Sequence, residues 1–145
     1  MTRPQLSASI LGVGVYFLCL CVYAQNPSQT KHNNRLISTT FCEVAKNSGK
    51  FNGKVVSFFA EYKMPGIEGT SLVDPDCDDV AIAVDVPHSA KGADVLKNAY
   101  LAGRLGTNDK EIEATWIGTF RWQPGEFPNR ILYVREIKDL TVSKR

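Results

Sequence analysis

"KEIEATWIGTFRW", residues 110–122, alternates so cleanly that it reads as one half-buried strand. Ile112, Ala114, Trp116, Gly118, Phe120 and Trp122 fall on one face, and Glu111, Glu113, Thr115, Thr119 and Arg121 on the other. Only Ile117 breaks the alternation. A face with this many aromatic rings is expected to pack in a core. After it, "QPGEFPN" (123–129) has the residues of a turn, and "RILYVREIKDLTV" (130–142) reads as a second strand. The apolar phase of that second strand slips between Val134 and Ile137, which predicts a bulge or bend near Arg135 and Glu136.

Before residue 110 the period changes. In "HSAKGADVLKNAYLAGRLG" (88–106), Ala93, Leu96, Ala99 or Tyr100, and Gly103 share a helical stripe. Ser89 is a candidate cap, Gly103 or Gly106 a stop, and Gly92 weakens the first turn. Pro87 closes a strand, "VAIAVDV" (80–86), and "TSLVD" (70–74) is a shorter strand before it. "MPGIEG" (64–69) is a turn, and "KVVSFFAEYK" (54–63) a strand that is apolar on both faces at first, as in a closed barrel. "TTFCEVAKNSGKFNGK" (39–54) opens with a short helix: Thr39 or Thr40 caps it, Glu43 completes a capping box, and Asn47 to Gly49 ends it.

The order is helix, three strands, helix, two strands. A mainly β chain of five strands with a helix between the third and fourth has the layout of the OB-fold, a five-stranded, partly open Greek-key barrel. The motifs "FCEVAKNSGKFNGKVVSFFAEYK" (41–63), "SLVDPDC" (71–77) and "ATWIGTFRW…RILYVREIKDL" (114–140) resemble those of small, uncharacterised exported bacterial OB-like proteins that carry a Cys…Cys pair. The resemblance covers about residues 38–142 and implies a fold and a disulfide, but no activity. Such first strands often bend at a glycine; Ala60 stands at that position here.

The beginning of the chain predicts export. Arg3 precedes "LSASILGVGVYFLCLCVYA" (6–24), which is uncharged and ends in Val22 and Ala24 at the −3 and −1 positions of a signal peptidase site. The rival reading is an uncleaved anchor, for which the uncharged run is just long enough. Cleavage before Gln25 is expected, followed by a flexible lead-in over 25–37 and a barrel domain over 38–142, in a periplasmic or extracellular compartment with no stable membrane span left after cleavage. The chain carries 17 basic and 15 acidic residues, and Arg3 leaves with the signal. So even a balance disfavours a nucleic-acid binder.

Cys19 and Cys21 fall within the signal, leaving Cys42 and Cys77 as an even pair that predicts one disulfide in an exported chain. Enclosing residues 42–77, it would stabilise the fold by about 3.8 kcal/mol in the chain-entropy account. Two other readings bear on Cys77. Asp74, Asp76 and Asp78 have the spacing of the first calcium-loop ligands, but Asp79 stands where that loop needs glycine, and Asp85 where it needs a bidentate glutamate. A reactive thiolate needs cationic neighbours, and four aspartates oppose one.

Nothing in the chain matches a catalytic or cofactor motif. His32 and His88 lack metal spacing, and the pair Glu111/Glu113 reads as solvated strand surface. An OB-fold binds across its second and third strands and the loops joining strands 1–2 and 4–5. The 4–5 loop places Phe127 and Arg130 near Arg121 and Trp122, an aromatic and guanidinium set able to stack on a ligand. The alternative is that Trp116, Phe120 and Trp122 are core and Phe127 pins its own loop. The function expected is therefore a non-catalytic binding module for an unknown protein or small ligand. Its rivals are a cation-dependent enzyme using Asp74–Asp79 and a structural accessory of an envelope complex.

Overall fold

The computed structural model describes residues 35–64, 69–77, 80–101 and 110–144. The expected signal, His32, Asp78, Asp79, Gly103 and Gly106 lie outside these residues. The described chain is mainly β: β1 (Ile37–Ser38), α1 (Phe41–Lys46), α2 (Ser48–Phe51), β2 (Val55–Lys63), β3 (Ser71–Val73), β4 (Ile82–Asp85), α3 (Ala93–Leu101), β5 (Lys110–Trp122) and β6 (Arg130–Lys144).

The six strands form one sheet in the order β1-β2-β3-β4-β6-β5, and β2 also pairs with β5. Strands β2 to β6 thus close a ring of five. Three of its junctions, β2–β3, β3–β4 and β5–β6, join strands adjacent in sequence and are antiparallel, as is the long β2–β5 ladder. The fifth, β4–β6, is parallel and runs from Ala83↔Ile131 to Asp85↔Tyr133. A parallel pair cannot be joined by a tight turn. The chain between these two strands includes α3 and all of β5.

Alternation in the sequence becomes inside and outside of the ring. Val56, Phe58, Ala60, Ile112, Ala114, Trp116, Phe120, Leu132 and Val134 are buried, with Phe41 and Val44 of α1 and Leu72 and Ile82 of the short strands. Phe41 meets Phe58 edge-on with centroids 5.6 Å apart, so α1 is seated on the ring through its apolar face. Thr40 Oγ1 accepts from the Glu43 amide at 3.2 Å and caps α1 as its sequence predicts.

Two bulges shape β5–β6. Ile117 pairs with Glu136 and Gly118 with Val134, so Arg135 is the extra residue, where the slipped phase placed it. A second irregularity falls between Glu113↔Thr141 and Thr115↔Lys138, beside Asp139, whose φ is +51°. No slip in the apolar pattern announces that one.

Four details were not legible in the sequence. The lead-in is paired at its end, because Ile37 and Ser38 run parallel to Val56 and Ser57. The chain does not turn straight into β2 after Asn47: Ser48–Phe51 makes a further helical turn, with Ser48 Oγ donating to the Val44 and Ala45 carbonyls at 3.2 and 2.9 Å. Among the described residues of the α3 stripe only Leu96 is buried; Ala93 and Ala99 pack against the core from its edge. Ile117 is buried although it lies on the outward set of β5.

Candidate functional site

The β5–β6 ladder ends in the pair Trp122↔Arg130, and Gln123 N donates to the Asn129 carbonyl at 2.9 Å to close the loop beyond it. Directly cross-strand residues have their side chains on the same face. Trp122 and Arg130 therefore stand side by side, over the corner where α1 meets α2. Trp122 is tied to this corner from its backbone, its amide donating to Asn52 Oδ1 at 3.1 Å. Gly49 lies against the indole edge, and a Cβ there would sit 3.2 Å from Trp122 Cζ3.

Arg130 is fixed from the same side. Its Nε donates to the Ala45 carbonyl at 3.2 Å and to Ser48 Oγ at 3.0 Å, and Nη1 reaches Asn129 Oδ1 at 3.2 Å. Ser48 is buried, so the contact holding the guanidinium is sheltered from water. Cations are favoured at a helix C-terminus, which accounts for the Ala45 contact. Among the described residues no carboxylate lies within salt-bridge distance of Arg130. Lys46, Asn47, Ser48, Gly49 and Lys50 join Trp122 and Arg130 around an open recess of about 320 Å³. Lys50 Nζ is paired with Glu43 Oε1 at 3.0 Å.

Of the four residues expected to bind, the structure brings two together. Arg121 is adjacent to Trp122 and so projects from the opposite face of β5, where its guanidinium lies 6.0 Å from the Tyr133 ring centroid. Phe127 is 92 % exposed at the loop tip and does not pin the loop. Trp116 and Phe120 are core, while Trp122 is half-buried, its ring shared between core and recess. The sequence offered no link from "KNSGK" (46–50) to Arg130, because that contact spans more than eighty positions.

The cysteines form a second cluster. Cys42 and Cys77 are neighbours but free thiols, not at bonding distance, so the expected bridge is unformed in this structure. The physical reason is that spacing and fold decide which cysteines meet, whereas bonding is an oxidation set by the compartment. The Cys42 thiol donates to the Asp76 carbonyl at 3.7 Å. Its pKa is pushed up to about 11, first by its hydrogen bond with Cys77, then by burial and by the negative charge of Cys77 and Asp74, with Lys46 opposing. That is the reverse of an activated nucleophile.

Asp74 serves the backbone. Its Oδ1 accepts from the Asp76 amide at 3.0 Å and its carbonyl from the Cys77 amide at 2.9 Å, which shapes the turn that carries Cys77. Among the described residues no three His, Cys, Asp or Glu side chains are grouped to hold a metal ion. His88 is exposed in a turn, and Glu113 pairs across the ladder with Glu61, which is buried 3.6 Å from Lys63 Nζ. Among the described residues no helix is long and apolar enough to cross a membrane. No family model, curated protein or solved structure matches this chain.

Proposed function

We propose that this chain is a small exported binding module with an OB-like barrel, and that it binds at the Trp122–Arg130 recess without catalysing a reaction. The ring order β2-β3-β4-β6-β5, with its parallel β4–β6 junction and α3 between β4 and β5, supports the barrel. The uncharged run over 6–24 supports export, and the meeting of Cys42 with Cys77 supports a disulfide formed once the chain reaches an oxidising compartment.

One observation carries the binding reading: a guanidinium held by buried Ser48 and the Ala45 carbonyl, with no carboxylate partner among the described residues, beside a half-buried indole. A side chain fixed in this way has lost its rotamer freedom before any ligand arrives, which lowers the entropy cost of binding. The arrangement has cations and a half-buried indole but, among the described residues, no nucleophile and no acid–base pair, so it fits recognition better than chemistry.

The test is retention of material from the native extracellular medium or envelope extract on the purified exported protein. Wild type should retain a component that Lys46→Gln/Lys50→Gln loses while keeping its melting temperature. Retention equal in the two proteins would remove the recess from this role.

A further inference from the structure

We infer that the outer face of the sheet made by β1, β2, β5 and β6 binds a second copy of this chain, face to face about a two-fold axis beside Ile117. Cross-strand partners share a face, so the pairs Val55↔Thr119, Ser57↔Ile117 and Phe59↔Thr115, continued by Thr119↔Tyr133 on β6, lay out that surface. The parallel register Ile37↔Val56 brings Leu36 alongside Val55 at its edge.

Five apolar side chains therefore stand on the outside of the ring: Leu36, Val55, Phe59, Ile117 and Tyr133. Val55 and Ile117 are buried yet stand apart from the core cluster, and Leu36, Phe59 and Tyr133 are 48, 51 and 39 % exposed. The solvated face of an antiparallel sheet is ordinarily its polar one. The apolar centre of this face points to a partner that covers it.

Charge decides the occupant. On the same face, β5 carries Arg121 four residues after Ile117 and Glu113 four residues before it. Among the described residues neither forms an ion pair. Arg121 lies over the Tyr133 ring, and the cross-strand neighbours of Glu113, Glu61 and Thr141, supply it no counter-charge. Each of the two charges is about 13 Å from Ile117 along the strand, at about 3.3 Å per residue. A two-fold axis lying between the copies and crossing β5 at Ile117 stacks each β5 antiparallel on the other. It sets Arg121 of each copy over Glu113 of its partner, and brings Leu36 and Val55 over the second Phe59. Such self-complementarity is what a closed, isologous dimer requires. An axis running along β5 would instead oppose Arg121 to Arg121, which like-charge repulsion disfavours.

Size sets the strength. Four strands at about 4.8 Å each, over the span from Glu113 to Arg121, give a face of about 500 Å² per copy. The pair then covers about 1,000 Å², the lower end for a specific interface, so the dimer should form and dissociate reversibly with concentration.

Sedimentation equilibrium of the purified native protein between about 1 μM and 1 mM tests the inference, and the mass should rise from one chain to two and no further. Phe59→Lys and Arg121→Glu should each raise the dissociation constant at least about tenfold, and Arg121→Glu/Glu113→Arg should restore it. Phe59 is half exposed and Arg121 exposed, so the dilute variants should keep the wild-type melting temperature. A single chain at every concentration would overturn the self-association and leave the face to a different partner. A mass growing beyond two chains would overturn the closed two-fold arrangement. Dimers unaffected by both single variants would place the contact elsewhere. Dimers that Arg121→Glu weakens but the double reversal does not restore would overturn the pairing of Arg121 with Glu113.

Discussion

The indole nitrogen of Trp116 donates to the carbonyl oxygen of Ala60 across 3.1 Å, tying β5 to β2 from inside the ring. Tyr62, two residues further along β2, stacks on the same indole with centroids 5.6 Å apart and the rings 20° from parallel. Ala60 stands at the position where a bend glycine is the expectation from sequence. At this position a small side chain leaves its carbonyl within reach of the tryptophan, so the contact is made without a glycine.

Trp116→Ala removes a fully buried ring and leaves the Ala60 carbonyl without that donor. It should cost roughly 3–5 kcal/mol. Phe127→Ala, at the exposed loop tip, should stay within about 0.5 kcal/mol. Urea melts of the two variants check the contrast. A Phe127→Ala cost approaching that of Trp116→Ala would mean that the loop folds onto the body.

Gly118→Ala tests the bulge. A Cβ at this position would press into the Tyr133 carbonyl, 2.9 Å from its carbon and 3.0 Å from Val134 Cα. All of these atoms are backbone and cannot rotate away, so the ladder would have to part at the Arg135 bulge. Overpacking of this kind costs roughly 1–3 kcal/mol or more. A thermal melt unchanged from wild type would show that β5 and β6 lie further apart at this point.

If the chain is exported as proposed, Cys42 and Cys77 should be joined in the native protein and titrate as no free thiol until a reductant is added. Cys42→Ser and Cys77→Ser should destabilise it alike, by ~2–5 kcal/mol, because each opens the same loop. Two titratable thiols in the native exported protein would defeat this.

The reduced protein should show a distinct alkaline response. Cys42 rises from its ordinary 9.0 to about 11, so the folded state holds its proton more tightly than the unfolded chain does. Its stabilising contribution is complete below pH 9 and is lost as pH climbs from 9 through 11. Denaturant melts of the reduced protein across that window should show a decline that Cys42→Ser reduces. An equal decline in both proteins would assign the effect to other groups.

Thr40→Ala should cost about 1 kcal/mol by removing the side-chain acceptor of the Glu43 amide. Because α1 supplies the Ala45 carbonyl to Arg130, the same variant should also loosen the recess. Amide exchange at Glu43 and Val44 measures the first effect, and retention of native material the second. Unchanged exchange at both amides would show that Thr40 does not hold the helix end.

Period and punctuation in the sequence were enough to place the long strands, α1 and α3. The period-two run of β5 has one apolar face, and shifting its register by one residue would turn Trp116 and Phe120 to water, so its inside and outside were legible from residues 110–122 alone. The slipped phase between Val134 and Ile137 likewise announced the extra residue at Arg135. Such signals are local, fixed by one residue and its near neighbours. The ring was not local: β2 closes on β5, and β4 on β6, through hydrogen bonds between backbones that carry no residue-specific mark. The recess also depended on tertiary structure. Its arginine and tryptophan meet because the hairpin register sets them opposite one another, and its two lysines arrive on a helical corner that Arg130, through Ala45 and Ser48, and Trp122, through Asn52, join to that hairpin's end. The cysteine pair stands between these cases, since the sequence could say that two thiols remained but only folding brought Cys42 of α1 against the turn at Cys77.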